Sequence, residues 1–250
     1  MEKSILIAAS NYDEHAYGPV TAILDSKGFN VVTYLTDKAL SGEDDFHVYV
    51  NEDAEVQLAY NGQPIDVENI GAAWFRKLLA FEPITSDPTK KLYINSEILH
   101  LHDTIWDLYP DNLWLNSPNN IKRADRKIRQ LQVAKLAGFT IPPTIISSTW
   151  ENIEQNLMPN YDEDIIVKTI RGIINDEETI KAHFTTVLTH EQILAMKNSV
   201  SPYLGLYQPF IDKLREWRVT VVGNDVHSAS IETDLAAKDP YLANFYPLVF

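Results

Sequence analysis

The sequence predicts an α/β protein of two domains. An apolar run at Ser4–Ala9, a segment with helical periodicity at residues 17–27 that stops at Gly28, and a β-branched run at residues 30–35 form a β-α-β opening. Such an opening is typical of a parallel sheet. A polar, turn-rich stretch at residues 116–120 then predicts a boundary between domains at residues 1–117 and 118–250. A chain of 250 residues is long enough for two modest cores.

The rest of the first domain carries a hairpin and a long helix. Asn61-Gly62 separates two alternating runs at residues 56–60 and 63–67, which is the strongest short signal for a β-hairpin. A short strand is predicted at residues 72–75. Asp87 followed by a proline predicts the cap and first turn of a helix that runs towards residue 109, before a last strand at residues 113–115.

The second domain begins with a basic helix at residues 123–136, closed by Gly138. Further strands are predicted at residues 144–147, 165–168, 204–210, 216–222 and 226–231, the last two forming a hairpin that turns at residues 223–225. Helices are predicted at residues 149–157 and after Thr189, where Thr189 and Gln192 have the spacing of a capping box.

Composition excludes several classes of function. The formal net charge is −14, so nucleic-acid phosphates would be repelled. The chain has no cysteine, which removes disulfides, thiolate catalysis and cysteine zinc sites. No apolar run is long enough for a signal peptide or a membrane span, and we expect a soluble, cytoplasmic protein. The first strand is followed by no glycine-rich loop, which argues against NAD and FAD.

Three cationic features stand out in so acidic a chain, and each allows two interpretations. Lys168 ends an apolar strand, where it either points into a cleft or extends to solvent at the sheet edge. Lys127 and Arg123 are four residues apart on the basic helix, so they would share a face that either draws in polyphosphate or is simply solvated. In the strand from Glu216, Arg218 shares a polar face with Glu216, and that face is either solvent-exposed or the floor of a polar site.

Four ordered segments resemble the ATP-grasp ligases of the RimK-like branch. They are DRKIRQLQVAKLAGFTIPPT at residues 125–144, IIVK with the following Arg171-Gly172, LYQPFI at residues 206–211, and EWRVTVVGNDVHSASI at residues 216–231. The element AWFR at residues 73–76 is similar to one found in the microviridin-type peptide maturases, or graspetide synthetases. The resemblance implies an N-terminal pre-ATP-grasp domain followed by an incomplete ATP-grasp core.

The resemblance also implies an enzyme that uses ATP and Mg²⁺ to phosphorylate Asp or Glu side chains of a ribosomal precursor peptide. A Thr or Ser hydroxyl or a Lys amine would then attack the acyl phosphate to form an ester or amide cross-link. In this comparison Lys127 and Lys168 hold the ATP phosphates, and Gln208 and Ile211 form the hinge that contacts adenine.

Three further roles are implied. Glu216 would contact the ribose, and Arg171 would meet the acidic substrate side chain. Arg218 would either neutralise the transferred phosphate or position the acyl phosphate. We therefore expect Lys127, Lys168 and Arg218 to converge around one triphosphate, because phosphoryl transfer depends on positioned cations.

The family's metal-binding Glu-x-Asn does not occur after Ile231, so no metal ligand is assigned. The sequence leaves open a fragment of a longer ligase, a site completed by a partner chain, and a catalytically incomplete homologue that binds peptide or nucleotide without turnover. An unfinished sheet would need a cover, so either a homodimer or the misfolding of a true fragment is expected.

Overall fold

A computed structural model describes residues 3–76, 85–157, 164–170, 173–176, 179–182, 185–189, 191–193, 204–211, 213 and 215–231 of the chain. The backbone divides into two units, Met1–Asp125 and Arg126–Phe250. This division lies beyond the polar stretch at residues 116–120. That stretch starts a helix, because the Ser117 hydroxyl accepts a hydrogen bond from the Asn120 amide at 3.5 Å and a proline follows at the first helical turn.

Unit 1 is built on a four-stranded parallel sheet and a small antiparallel sheet. Its elements are β1 Ser4–Ala9, α1 Glu14–Ser26, β2 Val31–Leu35, α2 Thr36–Ser41, β3 Phe46–Val50, β4 Val56–Tyr60, β5 Gln63–Pro64, β6 Ile70–Phe75, α3 Pro88–Asp107, β7 Trp114–Leu115 and α4 Pro118–Ala124. The parallel sheet has the order β2-β1-β6-β7, and the second sheet has the order β3-β4-β5. The predicted β-α-β opening and the parallel pairing of β1 with β2 are therefore confirmed.

Local sequence signals account for the turns and caps of unit 1. Asn61 and Gly62 have φ of 49° and 72°, so the predicted hairpin turn forms where both residues tolerate positive φ. The Asp87 carboxylate accepts from the Thr89 and Lys90 amides at the start of α3, which confirms the predicted cap. Helix α1 begins three residues before the predicted start, at Glu14, and continues through Pro19.

The first turn after β1 is filled by an acidic side chain from the same unit. The Asp37 carboxylate accepts hydrogen bonds from the Asn11 amide at 3.0 and 3.1 Å and from the Ser10 hydroxyl at 3.3 Å. An ion pair of 2.6 Å between Arg76 Nε and the Asp13 carboxylate ties this turn to the end of β6. The turn is thus held together by internal charges, in keeping with the lack of a glycine-rich loop.

The core of unit 1 is strongly aromatic and includes one histidine. Tyr34, Trp106 and Trp114 are buried, and their rings meet one another or their neighbours mainly edge to face. His102 is 7% exposed, with its ring 5.5 Å from that of Trp106. Burial lowers the pKa of His102 from 6.5 to about 4, although Asp103 acts in the opposite direction. The histidine is therefore neutral in the folded protein at pH 7.

Unit 2 contains a four-stranded antiparallel sheet and two separate hairpins. Its elements are α5 Lys127–Leu136, β8 Ile145–Ser147, α6 Trp150–Asn156, β9 Ile165–Lys168, β10 Ile173–Asp176, β11 Thr179–Ala182, β12 Thr186–Leu188, β13 Gly205–Pro209, β14 Glu216–Val222 and β15 Asp225–Ile231. The sheet has the order β12-β9-β13-β8. Within the described residues, β10 pairs with β11 and β14 pairs with β15 as two separate two-stranded sheets. Thr189 and Gln192 exchange the two hydrogen bonds of a capping box, as predicted.

The basic helix predicted at residues 123–136 is wrong as a single element. Helix α4 ends at Ala124 and α5 begins at Lys127, with Asp125 and Arg126 between them. Arg123 and Lys127 consequently lie on different helices and in different units, so the face that they were predicted to share does not exist. The periodic pattern continues across this break, which is why the sequence did not show it.

The sheet of unit 2 separates its core from its cationic residues by simple alternation. Ile165 and Tyr207 pack with Trp150 and Ile153 of α6 in a buried cluster. Ile166 and Lys168 alternate with these positions on β9 and pair with Gln208 and Leu206, so they belong to the opposite face. In the part of the chain that the structure describes, no helix has the length and apolar character needed to cross a membrane.

The buried, neutral His102 predicts a loss of stability on acidification. The unfolded chain takes up a proton below pH about 6.5, whereas the folded protein resists it until pH about 4. The free energy of unfolding should therefore fall as pH drops between these values, by about 3 kcal/mol in total from this residue. Urea unfolding of the full chain at pH 7.5, 6.5, 5.5 and 4.5 would measure this dependence.

The matched control is His102→Phe, which keeps an aromatic ring beside Trp106 but cannot be protonated. Other titrating groups affect both proteins equally, so the difference between the two curves isolates His102. Parallel curves for wild type and His102→Phe over pH 7.5 to 4.5 would contradict the assignment.

Candidate functional site

One face of the unit 2 sheet forms the wall of a cavity of about 470 Å³. This volume is in the range of small-molecule sites. Most of the lining is apolar, and the polar exceptions are Thr140, Lys168, Gln208 and Lys213. The apolar lining residues are Leu131, Val133, Ala134, Ala137, Phe139, Ile141, Pro142, Ile166, Pro209, Phe210 and Ile211. All of these residues belong to unit 2.

Lys168 is the last residue of β9 and faces this cavity. Its side chain is half-buried, so the structure supports the cleft interpretation and not the one in which the lysine extends to solvent. Burial, and after it the charges of Lys127 and then Lys213, lower the pKa of Lys168 from 10.5 to about 8. The ammonium group is thus desolvated and surrounded by like charges.

Lys127 approaches the same place from the start of α5. It is the first residue of that helix and is half-buried. Its charge acts on Lys168, so two lysines that are far apart in sequence come together in the fold. The amino end of a helix carries a positive potential of its own, which adds to the attraction of this region for an anion.

Lys213 is a third cation at the cavity, and the sequence analysis did not assign it a role. It lines the cavity and forms an ion pair with the carboxylate of Glu216. Glu216 begins β14 and is 7% exposed. The available signal was the position of Lys213, three residues before Glu216 and just after the hinge-like segment.

Gln208 is held in place by a short chain of hydrogen bonds. Its side-chain Nε2 donates to the Thr144 hydroxyl at 2.8 Å, and that hydroxyl donates to the Pro142 carbonyl at 3.1 Å. Gln208 is buried on the sheet face that carries Lys168, while Ile211 lines the cavity yet is 56% exposed. The Pro-x-Thr spacing places the Thr144 hydroxyl between Gln208 and the Pro142 carbonyl, and this hydroxyl orients the side-chain amide of Gln208.

Arg218, which the resemblance assigns to the transferred phosphate, is not among the residues that line this cavity. Arg218 is exposed, two residues after Glu216 on β14, and its role stays a prediction. Arg171 lies outside the described residues. Among the assigned residues that the structure describes, Lys168, Gln208 and Ile211 line the cavity. Lys127 and Glu216 act on two of the lining lysines.

The described residues suit a polyphosphate better than a metal ion. Within those residues, no group of three or more His, Asp or Glu side chains is placed to hold a metal. The carboxylate of Glu216 lies beside the cavity and is paired with Lys213. Carboxylates are the usual protein ligands of Mg²⁺, so no Mg²⁺ ligand is assigned in this part of the chain.

Comparisons with known proteins identify the fold. Protein-family models gave no match to the sequence. Curated protein sequences gave none either. Among solved structures, macrocyclase MdnC bound with precursor peptide MdnA from Microcystis aeruginosa superposes with a TM-score of 0.78 at 22% identity, over 92% of this chain and 76% of that chain.

Two further structures agree. A RiPP-associated ATP-grasp ligase from Chryseobacterium gregarium, solved with ADP and a leader and core peptide, has a TM-score of 0.73 at 21% identity over 96% of this chain and 72% of that one. The ATP-grasp ligase PsnB, complexed with precursor peptide PsnA2 and AMPPNP, has a TM-score of 0.66 at 19% identity over 98% and 80%. The predicted resemblance is thereby confirmed at the level of structure, and the chain has the α/β fold of the ATP-grasp ligases that modify ribosomally made peptides.

Proposed function

We propose that this chain is an ATP-dependent ligase that activates Asp or Glu side chains of a ribosomal precursor peptide for cross-linking. The observation that carries the proposal is that Lys168 lines a largely apolar cavity together with Gln208, and that the charge of Lys127 acts on Lys168. The structural neighbours solved with ADP or AMPPNP and with precursor peptides support it. Lys127 and Lys168 lie in the second of the two domains predicted from sequence, at residues 118–250.

The apolar part of the cavity would hold the adenine. Leu131, Ile166 and Ile211 supply apolar surface for a flat ring. Because Gln208 donates its Nε2 to Thr144, its carbonyl oxygen is the atom of the amide that can accept from the adenine amino group. A guanine ring presents a carbonyl at that position, so this arrangement favours ATP over GTP.

Lys127 and Lys168 would hold the phosphates and stabilise the charge that develops during transfer. A carboxylate oxygen of the peptide attacks the γ-phosphorus, and the bond from that phosphorus to the ADP oxygen breaks to give an acyl phosphate. A hydroxyl or amine then attacks the acyl carbon, loses its proton, and inorganic phosphate leaves. Positioned cations stabilise the charge spread over the transferred phosphoryl oxygens. Arg218 and Arg171 keep the roles implied by the resemblance, as proposals.

The remaining partners follow from the same chemistry. Mg²⁺ accompanies ATP in phosphoryl transfer, and its protein ligands are not assigned. ATP use and the lack of cysteine are in keeping with a cytoplasmic enzyme, and the net charge of −14 argues against nucleic acid as a substrate. A homodimer remains a hypothesis that gel filtration can test.

Saturating ATP should stabilise the chain, and Lys168→Ala should abolish the effect. A ligand at 100 times its dissociation constant adds about 2.7 kcal/mol to the free energy of unfolding, which is readily seen as a rise in Tm. Without ATP, Lys168→Ala should be no less stable than wild type, because it removes a desolvated cation that faces two others. Lys135→Ala, which changes an exposed lysine in the last turn of α5, is the control. An equal ATP shift in wild type and Lys168→Ala would contradict the site.

ATP affinity should weaken as pH rises through the pKa of Lys168. With that pKa near 8, the free site loses its proton between pH 7 and 9.5, whereas ATP phosphates are already ionised there. Lys168→Arg keeps its charge over this range, so its affinity should depend much less on pH even if it is lower overall. Isothermal titration calorimetry at pH 7, 8, 9 and 9.5 would check this. A wild-type affinity that is constant across the series would be evidence against a phosphate contact by Lys168.

Thr144→Val should reduce the preference for ATP over GTP. The substitution removes the hydroxyl that orients Gln208 and costs about one hydrogen bond, or roughly tenfold in ATP affinity. Thr104→Val is the matched control, because that hydroxyl bonds only to the His100 carbonyl of its own helix in unit 1. Unchanged ATP and GTP affinities in Thr144→Val would show that Gln208 does not contact the base.

The ligase function itself is tested by turnover. Coexpression of the full chain with short open reading frames from the same genomic region should yield a peptide that is lighter by one water for each cross-link. Lys168→Ala should leave the peptide mass unchanged. Tight ATP binding with neither ADP release nor a change in peptide mass would favour the alternative, a homologue that binds without turnover.

A further inference from the structure

We propose that Lys213 is a third phosphate-binding cation of the cavity, and that Glu216 is the positioning residue that holds it there. This proposal rests on the nucleotide site proposed above and adds to it a residue that the sequence resemblance did not assign. It also gives Glu216 a role different from the ribose contact that the resemblance implies.

Lys213 lines the cavity and is held there by the carboxylate of Glu216. Its side chain lines the cavity wall together with Lys168 and Gln208, and its ammonium group bonds to the Glu216 carboxylate. The two side chains are only 20% and 8% exposed. Glu216 opens β14 and is paired across the hairpin with Ile231, so the carboxylate projects from a regular strand and not from a loose loop.

The charges at the cavity favour an anion as its ligand. Lys213 is paired with Glu216, but it also lines the same largely apolar wall as Lys168, and the charges of Lys127 and Lys213 both act on Lys168. Two like charges about 4 Å apart repel by about 1 kcal/mol even in water, and by more in a partly desolvated site. An arrangement of this kind is stabilised when a polyanion enters it, and ATP carries several negative charges.

The pairing with Glu216 also prevents Lys213 from adopting many conformations. A lysine side chain loses up to about 2 kcal/mol of rotamer entropy when it is fixed. Because Glu216 already holds the ammonium group at the cavity, less of this cost falls on nucleotide binding. Glu216 would then act on affinity through Lys213, without touching the phosphate.

The test compares the dissociation constants of ATP, ADP, AMP and adenosine for four proteins: wild type, Lys213→Met, Lys213→Arg and Glu216→Gln. Lys213→Met should weaken ATP and ADP by about tenfold or more and leave adenosine unchanged. Lys213→Arg should retain most of the ATP affinity, because the positive charge is kept. Lys135→Met serves as the control for the loss of a lysine charge elsewhere on unit 2 and should bind all four ligands as wild type does.

A double-mutant cycle of Glu216 and Lys213 distinguishes a positioning role of Glu216 from a direct contact with the ribose. If Glu216 acts through Lys213, Glu216→Gln should weaken ATP, and it should add little when Lys213→Met is already present. If Glu216 instead contacts the ribose, Glu216→Gln should weaken adenosine as strongly as ATP, and that result would overturn its positioning role. The double variant also guards against misfolding, because it leaves no buried carboxylate without its partner.

The pKa of Lys168 provides a measurement that does not require nucleotide. Removing the charge of Lys213 should raise the pKa of Lys168, measured as the pH dependence of its acetylation by acetic anhydride and mass spectrometry. Unchanged ATP affinity in folded Lys213→Met, with wild type binding ATP, overturns the Lys213 assignment and leaves the proposed function intact. Wild type that binds no ATP overturns both.

Discussion

The repulsion among Lys127, Lys168 and Lys213 is the constraint on which the chemistry of this protein depends. A chain with 35 acidic and 21 basic residues has abundant carboxylates with which to pair lysines. Among the residues that the structure describes, the carboxylate of Glu216 forms an ion pair with one of these three lysines, Lys213. Burial first, and then the charges of Lys127 and Lys213, lower the pKa of Lys168. A fold that keeps cations together in this way gives up stability in the free protein and gains it back when a polyanion is bound.

Strands β9 and β13 provide both the core of unit 2 and the wall of the cavity. On β9 and β13, alternate side chains either enter the core beside α6 or turn towards the cavity, so the core and the site share the same two strands. A residue inserted into either strand would exchange the two sets. The site therefore does not depend on a mobile loop for its main cation, because Lys168 is fixed by the same strand pairing that forms the sheet.

The sequence was informative where the signal was local. Ser4–Ala9, Ile165–Lys168 and Glu216–Val222 match the observed strands residue for residue, since each is a short apolar or alternating run with clear turn residues beside it. The break between α4 and α5 was missed because Asp125 and Arg126 interrupt no hydrophobic pattern. Strand β3 and the β10-β11 hairpin were missed for a related reason, since pairing partners and not composition define them.

Only part of the candidate site could be predicted from the resemblance. The resemblance indicates which residues match the family's motifs, but it does not indicate where their side chains point. Lys127 and Lys168 were found from their motif positions, and the fold brings them together. Lys213 was overlooked, since an isolated lysine beside a hinge carries no sequence signature of its own. We expected Arg218 to converge with the lysines, and this expectation depended on where its side chain is placed. In the structure Arg218 is exposed on β14 and is not among the residues that line the cavity.

The carboxylate of Asp37 in the turn after β1 has a consequence for the rest of the molecule. In dinucleotide-binding folds, the equivalent peptide amides receive a pyrophosphate. Here the amide of Asn11 is already satisfied from within unit 1, and an incoming phosphate would meet a like charge. Asp37 therefore disfavours a phosphate at the turn after β1, even though this turn follows the first strand of a parallel sheet.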